Sequence, residues 1–365
     1  MKALVIEKDD LIHNIKRIRE INKEDYEIIA VVKGNGYGLG LIEYSKILVE
    51  QGIKYLAVST VEEALELKKE NLEANILLLS SICDEQEIKQ LVENGIILTV
   101  GSSKAAEIAN KLAARVHIKI DTGFGRYGFV YNQEKEILDV YKKYPNLKIE
   151  GTFSHFAQSY AKNEKFTKLQ FDRFINVIEM LKMNDIEPGM LHICNSAAFL
   201  RYPHMHLNAA RIGSAFLGRV LVENKIGLKR IAKLETKITE IKDLPKGYNI
   251  GYSCTEKTKR ETKLAIVPVG YQDGFNISAS NDMFRVVDRL RSVKGALKNL
   301  LKKRQLTVDI NGKPCKVMGQ IGMCHTAIDI TDIDAKVGSK VIMNINPIHV
   351  QSSLRREWRI NGREQ

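Results

Sequence analysis

A lysine, Lys33, stands where an apolar run gives way to a glycine-rich segment. The run at residues 28–32 is typical of a strand that is buried on both faces of a parallel sheet. Burial disfavours the ammonium form of a lysine, which lowers its pKa and frees the amine for Schiff-base chemistry. The alternating glycines of residues 34–40 allow positive φ and a close approach of the backbone to a ligand. A lysine that snorkels over a glycine-rich turn accounts for the same residues equally well.

Further apolar runs also end on polar side chains. They end at residues 119–126, 154–155, 192–196 and 211–214. In a barrel of parallel strands, the active site lies at the carboxyl ends of the strands. Each residue alone has a structural explanation, such as His155 as a satisfied core histidine or Arg211 as one half of an ion pair. Because so many strands end this way, we interpret the set as an active site.

Strand-like runs and amphipathic segments alternate over the first part of the chain. The predicted strands are 27–33, 55–59, 75–80, 96–100, 115–121, 148–154, 189–194 and 207–211. The predicted helices are 8–22, with Asp9 or Asp10 near its N-cap, and 40–51, 60–70, 84–93, 102–114, 132–144 and 160–183. This alternation indicates an α/β fold, a (β/α)8 TIM barrel, which we assign to residues 1–230. An open doubly wound sheet is the alternative, but residues 34–40 lack its Gly-x-Gly-x-x-Gly fingerprint.

The chain changes character after residue 230. Short β-rich runs follow, separated by turn sequences, at 232–241, 262–269, 305–308, 316–318 and 340–343. We therefore predict a smaller, mostly β domain over residues 231–365. Residues 278–303 are expected to carry an insertion or a helix within it.

Composition excludes several classes of protein. The 365 residues are 44% hydrophobic and 27% charged, as in ordinary globular proteins, and no stretch approaches the ~20 apolar residues of a membrane span. The N-terminus is too charged for a signal peptide. Five scattered cysteines without a Cys-x-x-Cys pair indicate free thiols in the cytoplasm, and neither disulfides nor a metal site. The net charge of +12 comes from lysines scattered beside glutamates and from a run at 298–304, which we read as solvated surface and not as a nucleic-acid site.

The lysine segment also resembles a known one. Val-Val-Lys-x-Asn-x-Tyr-Gly-x-Gly, residues 31–40, resembles the cofactor-lysine segment of the alanine racemase family, the fold-type III enzymes that use pyridoxal 5'-phosphate (PLP). That family usually has alanine at Gly34 and Gly36 and histidine at Leu39. The resemblance implies that Lys33 binds PLP covalently and acts as a catalytic base, and that Tyr37 reaches the cofactor phosphate.

Other motifs of the barrel resemble the same family. They are His-Ile-Lys-Ile-Asp-Thr-Gly-Phe-Gly-Arg at 117–126, Gly-Thr-Phe-Ser-His-Phe-Ala at 151–157 and His-Ile-Cys-Asn-Ser-Ala-Ala at 192–198. On the substrate side, the resemblance implies that Arg126 holds the substrate carboxylate and that Lys119, often carbamylated in the family, orients it. On the cofactor side, it implies that His155 packs on the pyridine ring and Arg211 donates to the pyridine nitrogen. The resemblance places the phosphate near the residues Asn195, Ser196, Gly213 and Ser214.

The second domain carries the remaining signatures of the family. Tyr252, within Asn-Ile-Gly-Tyr-Ser-Cys, matches the second catalytic base, which is contributed by the partner subunit of a homodimer with shared active sites. Tyr271 matches a tyrosine that lines the substrate access, and Met323 a backbone contact to the substrate carboxylate. The C-terminus departs from the family: Cys324 follows Met323 where the family usually has aspartate, and a later phosphate-binding tyrosine has no counterpart.

The resemblance implies an amino acid racemase that uses a base on each face of Cα, with alanine favoured and serine or a larger amino acid as alternatives. Arg211 can only donate at ordinary pH, so the ring nitrogen that it faces stays neutral. A fold-type III decarboxylase is a second hypothesis, but Arg211 and Tyr252 argue against it. A non-catalytic PLP carrier is the third, and it leaves the domain with Tyr252 and Tyr271 unexplained. The expected partners are a small amino acid and a second copy of the chain, with no membrane and no nucleic acid.

Overall fold

The computed structural model describes residues 2–21, 26–277, 290, 293–294 and 305–364. The chain divides into two compact units: Lys8–Ile231, and Met1–Glu7 together with Ala232–Gln365. The sequence placed the domain boundary at residue 230 and assigned the N-terminal segment to the barrel. That segment instead forms strand β1, Ala3–Glu7, whose apolar residues are buried in the second unit.

The first unit is a barrel of parallel strands. They are β2 Glu27–Val31, β3 Tyr55–Val58, β4 Asn75–Leu78, β5 Leu98–Val100, β6 Arg115–Asp121, β8 Lys148–Phe153, β9 Met190–Asn195 and β10 Ala209–Ile212, while the short β7, Phe129–Val130, pairs only with β6. Their order is β4-β3-β2-β10-β9-β8-β6-β5, and a parallel bridge between Leu77 and Ile97 joins β4 to β5. The predicted (β/α)8 barrel is thereby confirmed.

Helices alternate with the barrel strands along the chain. They are α1 Lys8–Ile21, α3 Leu41–Glu50, α4 Val61–Lys69, α5 Glu85–Glu93, α6 Ser103–Lys111, α7 Glu134–Lys143, α8 Lys165–Met183 and α9 Ser196–Arg201. The first of them, α1, precedes β2. Thr60 and Ser102 cap α4 and α6 by accepting from backbone amides. The helix predicted at 8–22 is confirmed as α1, with Asp9 and Asp10 in its first turn. The helix predicted from residue 160 begins only at Lys165.

Lys33 lies in a turn, α2 Lys33–Tyr37, and not in the preceding strand, which ends two residues earlier than predicted. Gly34, Asn35, Gly36 and Tyr37 all have φ between +53° and +66°, so the turn is left-handed. Glycine adopts this conformation without steric cost and asparagine tolerates it, whereas a tyrosine rarely adopts it. The Asn35 Oδ1 atom accepts from the Leu41 amide at 2.9 Å, which connects the turn to the start of α3.

The second unit is mostly β, as predicted. Its main strands are β11 Ala232–Lys237, β12 Glu240–Leu244, β15 Thr262–Val267, β16 Thr307–Ile310, β17 Lys313–Met318, β18 Thr326–Asp329, β19 Lys340–Met343, β20 Arg356–Ile360 and β21 Arg363–Glu364, with a separate hairpin of β13 Asn249–Ile250 and β14 Glu256–Lys257. The sheet order is β12-β15-β18-β17-β16-β19-β11-β1-β20-β21. The run predicted as one strand at 232–241 is two strands, and the sequence missed β1, β13, β14, β18, β20 and β21.

Tyr252 and Tyr271 each begin a short 3-10 helix, Tyr252–Cys254 and Tyr271–Asp273. The insertion predicted at 278–303 and the basic run at 298–304 lie outside the described residues, apart from positions 290, 293 and 294. In the described part of the chain, no helix is long and apolar enough to cross a bilayer.

The left-handed turn predicts a graded response to added side chains. Gly34→Ala adds a β-carbon to open space, so we expect only the conformational cost, about 1 kcal/mol of unfolding free energy. Gly36→Ala has a similar φ, but its β-carbon would lie 3.1 Å from Cδ1 of the fully buried Tyr44, so we expect a larger loss. Denaturant unfolding of the two variants measures this difference, and equal stabilities of both variants and the parent would contradict it.

Candidate active site

A cavity of about 470 Å³ opens at the carboxyl ends of the barrel strands. Its lining includes every barrel residue that the sequence singled out: Lys33, Tyr37, Lys119, Arg126, His155, Asn195, Ser196, Arg211, Gly213 and Ser214. The structure therefore brings these residues together, while their individual roles stay predictions. Tyr252 and Met323 line a separate cavity within the second unit, together with Cys324 and His325, and Tyr271 is exposed on that unit.

Lys33 sits in an environment that favours its neutral amine. Partial burial lowers the pKa of Lys33, and the positive charge of Arg126 lowers it further, whereas Glu63 opposes the shift. Glu63 also holds the turn after the lysine, because its Oε1 accepts from the Asn35 amide at 3.0 Å and its Oε2 from the Ser59 amide at 3.4 Å. The Glu63 carboxylate thus holds the turn that contains Lys33 and limits the fall in the pKa of Lys33.

Tyr37, Ser196 and Gly213 form one end of the cavity. A β-carbon at Gly213 would lie 2.8 Å from Cζ of Tyr37, so only glycine leaves room for the tyrosine ring. The Ser196 hydroxyl accepts from the amides of Gly213 at 3.0 Å and Ala215 at 3.3 Å. Asn195 caps α9 through its Oδ1, which accepts from the Ala198 amide at 3.0 Å and from the Ser159 hydroxyl at 2.8 Å. The hydroxyls of Tyr37, Ser196 and Ser214 line this cavity and are donors that suit a phosphate group.

Arg211 is a buried cation in the wall of the cavity, with only 4% of its surface exposed. Its Nη2 donates to the Ser154 carbonyl at 2.7 Å, to the Ile193 carbonyl at 3.2 Å and to His155 Nδ1 at 3.0 Å. Its Nη1 donates to His192 Nδ1 at 2.6 Å and to the His192 carbonyl at 3.1 Å. Burial lowers the pKa of Arg211 to about 10, which still leaves it charged at neutral pH.

The charge of Arg211 acts on the bases around it. Burial, and then the positive charge of Arg211, hold the pKa of His155 well below its usual range. The same two causes, with Arg126, hold the pKa of Lys119 well below the usual lysine range. Lys119 is 4% exposed, and its Nζ lies 4.2 Å from the centre of the Phe153 ring. A lowered pKa makes the nucleophilic neutral amine of a lysine more available, which suits the predicted carbamylation.

Arg126 lies at the exposed end of a loop that Asp121 organises. The two carboxylate oxygens of Asp121 accept from the amides of Gly123 and Phe124 at 2.8 Å and of Gly125 at 2.9 Å. The Arg126 guanidinium lies 4.4 Å from the centre of the Phe124 ring, whose edge in turn meets His155. Asp121 therefore fixes the backbone immediately before the predicted substrate-binding arginine.

Sequence reasoning missed Glu63 as part of the site and gave no role to Asp121 or His192. Glu63 lies three residues after Thr60, the N-cap of α4, so the sequence around it indicates only a residue in the first turn of a helix. Its hydrogen bond to the Asn35 amide, 28 residues earlier, is not indicated by any neighbouring residue. Asp121 followed by Thr-Gly has the pattern of an Asx turn, which would have found it. His192 and Asn195 lie on a strand with an irregular register, so two-residue periodicity alone does not give the direction of the His192 side chain.

Comparisons with known proteins match this geometry. Residues 6–219 match the family described as alanine racemase, N-terminal domain, and residues 231–355 match alanine racemase, C-terminal domain. The chain belongs to the alanine racemase family. The predicted family and the predicted enzyme class, an isomerase of the amino acid racemase type, are thereby confirmed.

Individual alanine racemases are similar to this chain over most of their length. An alanine racemase of Methanococcus maripaludis is 35% identical over 88% of this chain and 83% of that protein, and one of Clostridium tetani is 35% identical over 93% and 84%. Among solved structures, alanine racemase of Clostridium difficile 630 has a TM-score of 0.86 at 27% identity, covering 100% of this chain and 97% of that one. Alanine racemase from Bacillus anthracis with bound L-Ala-P has a TM-score of 0.81 at 28% identity, covering 100% and 96%.

The charges around Lys33 predict how its reactivity depends on pH. In the cofactor-free protein, Lys33 should react with an acylating reagent at lower pH than an exposed lysine such as Lys246, because its pKa is lowered. Arg126→Gln removes a positive charge, so the pKa of Lys33 should rise and its labelling should move to higher pH. Glu63→Gln removes a negative charge and should move the labelling the other way. Peptide mass spectrometry across pH measures both, and shifts of the same sign in the two variants would contradict the assignment.

Proposed function

We propose that this protein is a PLP-dependent amino acid racemase that interconverts the L- and D-forms of alanine. One observation carries the proposal: a lysine with a lowered pKa, a cluster of hydroxyls and a buried arginine face a single cavity at the end of a (β/α)8 barrel. Membership of the alanine racemase family supports the reaction class, and the names of the relatives support alanine as the substrate.

The residues present fit PLP. Lys33 would hold the cofactor covalently, and the tight approach of Tyr37 to Gly213 leaves the tyrosine hydroxyl beside Ser196 and Ser214, a donor set for the phosphate. His155 would pack on the ring, and Arg211 would donate to the ring nitrogen. PLP, when bound, supplies an electron-withdrawing ring that acidifies the Cα–H bond of an attached amino acid.

Arg211 would control how strongly the ring withdraws electrons. A carboxylate beside the ring nitrogen would keep that nitrogen protonated, whereas a guanidinium that stays charged can only donate to it. The ring would then withdraw electrons less strongly, which favours removal and return of the Cα proton over side reactions. The carbonyls and imidazoles around Arg211 hold it in place and leave it cationic.

Inversion at Cα needs a proton acceptor on one face and a donor on the other. We assign Lys33 to one face and Tyr252 of the partner subunit to the other, in a homodimer whose active sites are shared. Tyr252 is 68% exposed within its own unit, so its hydroxyl is open to a second chain. Tyr271 of the partner subunit would line the access for the substrate.

Arg126 would bind the substrate carboxylate, supported by the amides that Asp121 gathers before it. The neutral amine of Lys119 would attack carbon dioxide and lose one proton to solvent, and the resulting carbamate would orient Arg126. Met323 would contribute a backbone contact to the same carboxylate. Cys324, whose thiol donates to Gln272 Oε1 at 3.2 Å, stands where an aspartate is usual, so serine or a larger amino acid is the alternative substrate. All five cysteines are free thiols, which supports a cytoplasmic protein.

Exchange of the Cα proton in deuterated water tests the reaction and the substrate together. The PLP-loaded protein would be given separate L- and D-forms of alanine, serine, lysine, arginine and ornithine, with chirality followed alongside. Exchange with inversion on alanine is the expected result. Exchange without inversion would reject racemisation, because one face of Cα would then both lose and regain the proton. No exchange while PLP stays bound would reject the proposal in favour of a carrier, and loss of carbon dioxide would indicate a decarboxylase.

Two substitutions separate the proposed bases. Lys33→Ala should abolish the absorbance of the lysine-bound cofactor and lower racemisation by about a hundredfold or more, as the loss of a general base does. Tyr252→Phe should keep the bound cofactor but exchange the Cα proton of only one enantiomer. Equal exchange from both enantiomers in that variant would refute the two-base scheme.

Gly213→Ala tests the phosphate end of the cavity. The added β-carbon displaces the Tyr37 ring, so we expect PLP affinity to fall about tenfold or more, as the loss of a hydrogen bond to a charged group implies. Pyridoxal, which lacks the phosphate, serves as the matched ligand and should bind with little change. Fluorescence titration measures both affinities, and an equal loss for the two ligands would contradict the assignment.

A further inference from the structure

Two buried histidines extend inward from Arg211 and have no place in the proposed chemistry. His192 Nδ1 lies 2.6 Å from Arg211 Nη1, and His192 Nε2 lies 2.8 Å from His117 Nδ1. His192 is 0% and His117 1% exposed. The three side chains form a continuous hydrogen-bonded series from the cavity wall into the barrel.

The series has only one consistent proton arrangement. A guanidinium has donors and no acceptor, so His192 Nδ1 must be unprotonated and accept from Arg211. The proton of His192 is then on Nε2, which donates to Nδ1 of His117, and His117 carries its own proton on Nε2. Burial, followed by the charge of Arg211, lowers the pKa of His117 to about 3 and holds that of His192 well below its usual range, in agreement with two neutral rings.

The series ends at a cost. Among the described residues, His117 Nε2 has no hydrogen-bond partner, and an unpaired buried polar group destabilises the folded state. The fold also makes room for this ring, because a β-carbon at Gly151 would lie 2.8 Å from His117 Nδ1. A core that served stability alone would place an apolar side chain here, so the position of His117 calls for another explanation.

We propose that His117 is a positioning residue for Arg211. By accepting from His192 Nε2, it fixes the tautomer in which His192 accepts from Arg211, and so holds the guanidinium towards the cavity. The stacked Phe153 ring, 4.7 Å from the centre of the His192 ring and tilted by 9°, restrains the plane of His192 but offers no in-plane acceptor. The proton arrangement follows from the structure alone, and only the effect of the Arg211 position on catalysis rests on the proposed function.

Removing the acceptor should disturb the whole series. Without His117 Nδ1, the His192 Nε2–H group is buried without a partner, and the opposite tautomer would direct Nδ1–H at a guanidinium donor. Either result weakens the hydrogen bond between Arg211 and His192. His117→Phe fills the space without an acceptor, and His117→Asn is the matched control, because its side-chain oxygen can take the position of Nδ1.

The first readout is independent of catalysis. Nitrogen-15 NMR of the cofactor-free protein, with ring-labelled histidine, reports which nitrogen of each ring carries the proton, and His192→Asn assigns the His192 signals. We expect His192 to be protonated on Nε2 in the parent and in His117→Asn, and to lose this single state in His117→Phe. A parent protein with His192 protonated on Nδ1 would overturn the proposal even if a variant failed to fold.

The second readout is turnover of the PLP-loaded enzyme. We expect His117→Phe to lower kcat about tenfold, as the loss of one buried hydrogen bond implies, with little change in KM, and His117→Asn to restore most of the loss. An altered tautomer with unchanged kcat would overturn the positioning role. If the parent has no racemase activity, the proposed function fails, while the NMR result still decides the proton arrangement.

Discussion

The buried guanidinium of Arg211 sets the electrostatics of the barrel interior. Among the described residues its donors are met by carbonyls of β9 and of the residue after β8, and by two imidazoles, so dipoles hold its charge in place of a carboxylate. A charge held in this way, in a poorly solvated place, acts strongly on its neighbours. Burial comes first in lowering the pKa values of Lys33, Lys119 and His155, and the charge of Arg211 adds to that effect in all three.

The barrel interior has a polar part around Arg211 and an apolar part. One buried cluster consists of Ile29, Val31, Ala57, Leu77, Ile97 and Ala209. The strands β6, β8, β9 and β10 instead carry polar and aromatic residues in contact with one another: His117, Lys119, Phe153, His192 and Arg211. Side chains alternate between the two faces of a strand, so each strand can bury an apolar outer face against its helix while its inner face serves the site. Stability and chemistry are thereby assigned to different residues of the same strands.

This division explains which features of the fold and of the site could be predicted from the sequence. Buried strands give continuous apolar runs, and the polar residues that interrupt them at their ends are visible in the sequence itself, as with Lys33, His155 and Arg211. Contacts between distant segments leave no such mark: nothing near Glu63 indicates that it holds the Asn35 amide. The same holds for β1, whose apolar residues are compatible with either unit until their pairing with β11 and β20 is seen.

The basic side chains that line the cavity contribute to the formal net charge of +12. Lys33, Lys119, Arg126 and Arg211 line one space, and the described lining of that cavity includes no acidic side chain. The charged forms of these groups disfavour one another, which contributes to the lowered pKa values of Lys33 and Lys119 and is a cost until an anion enters. A ligand with a phosphate and a substrate with a carboxylate would remove that cost at opposite ends of the same cavity. These four basic residues therefore suit small anions inside the barrel, whereas most of the 56 lysines and arginines of the chain lie elsewhere.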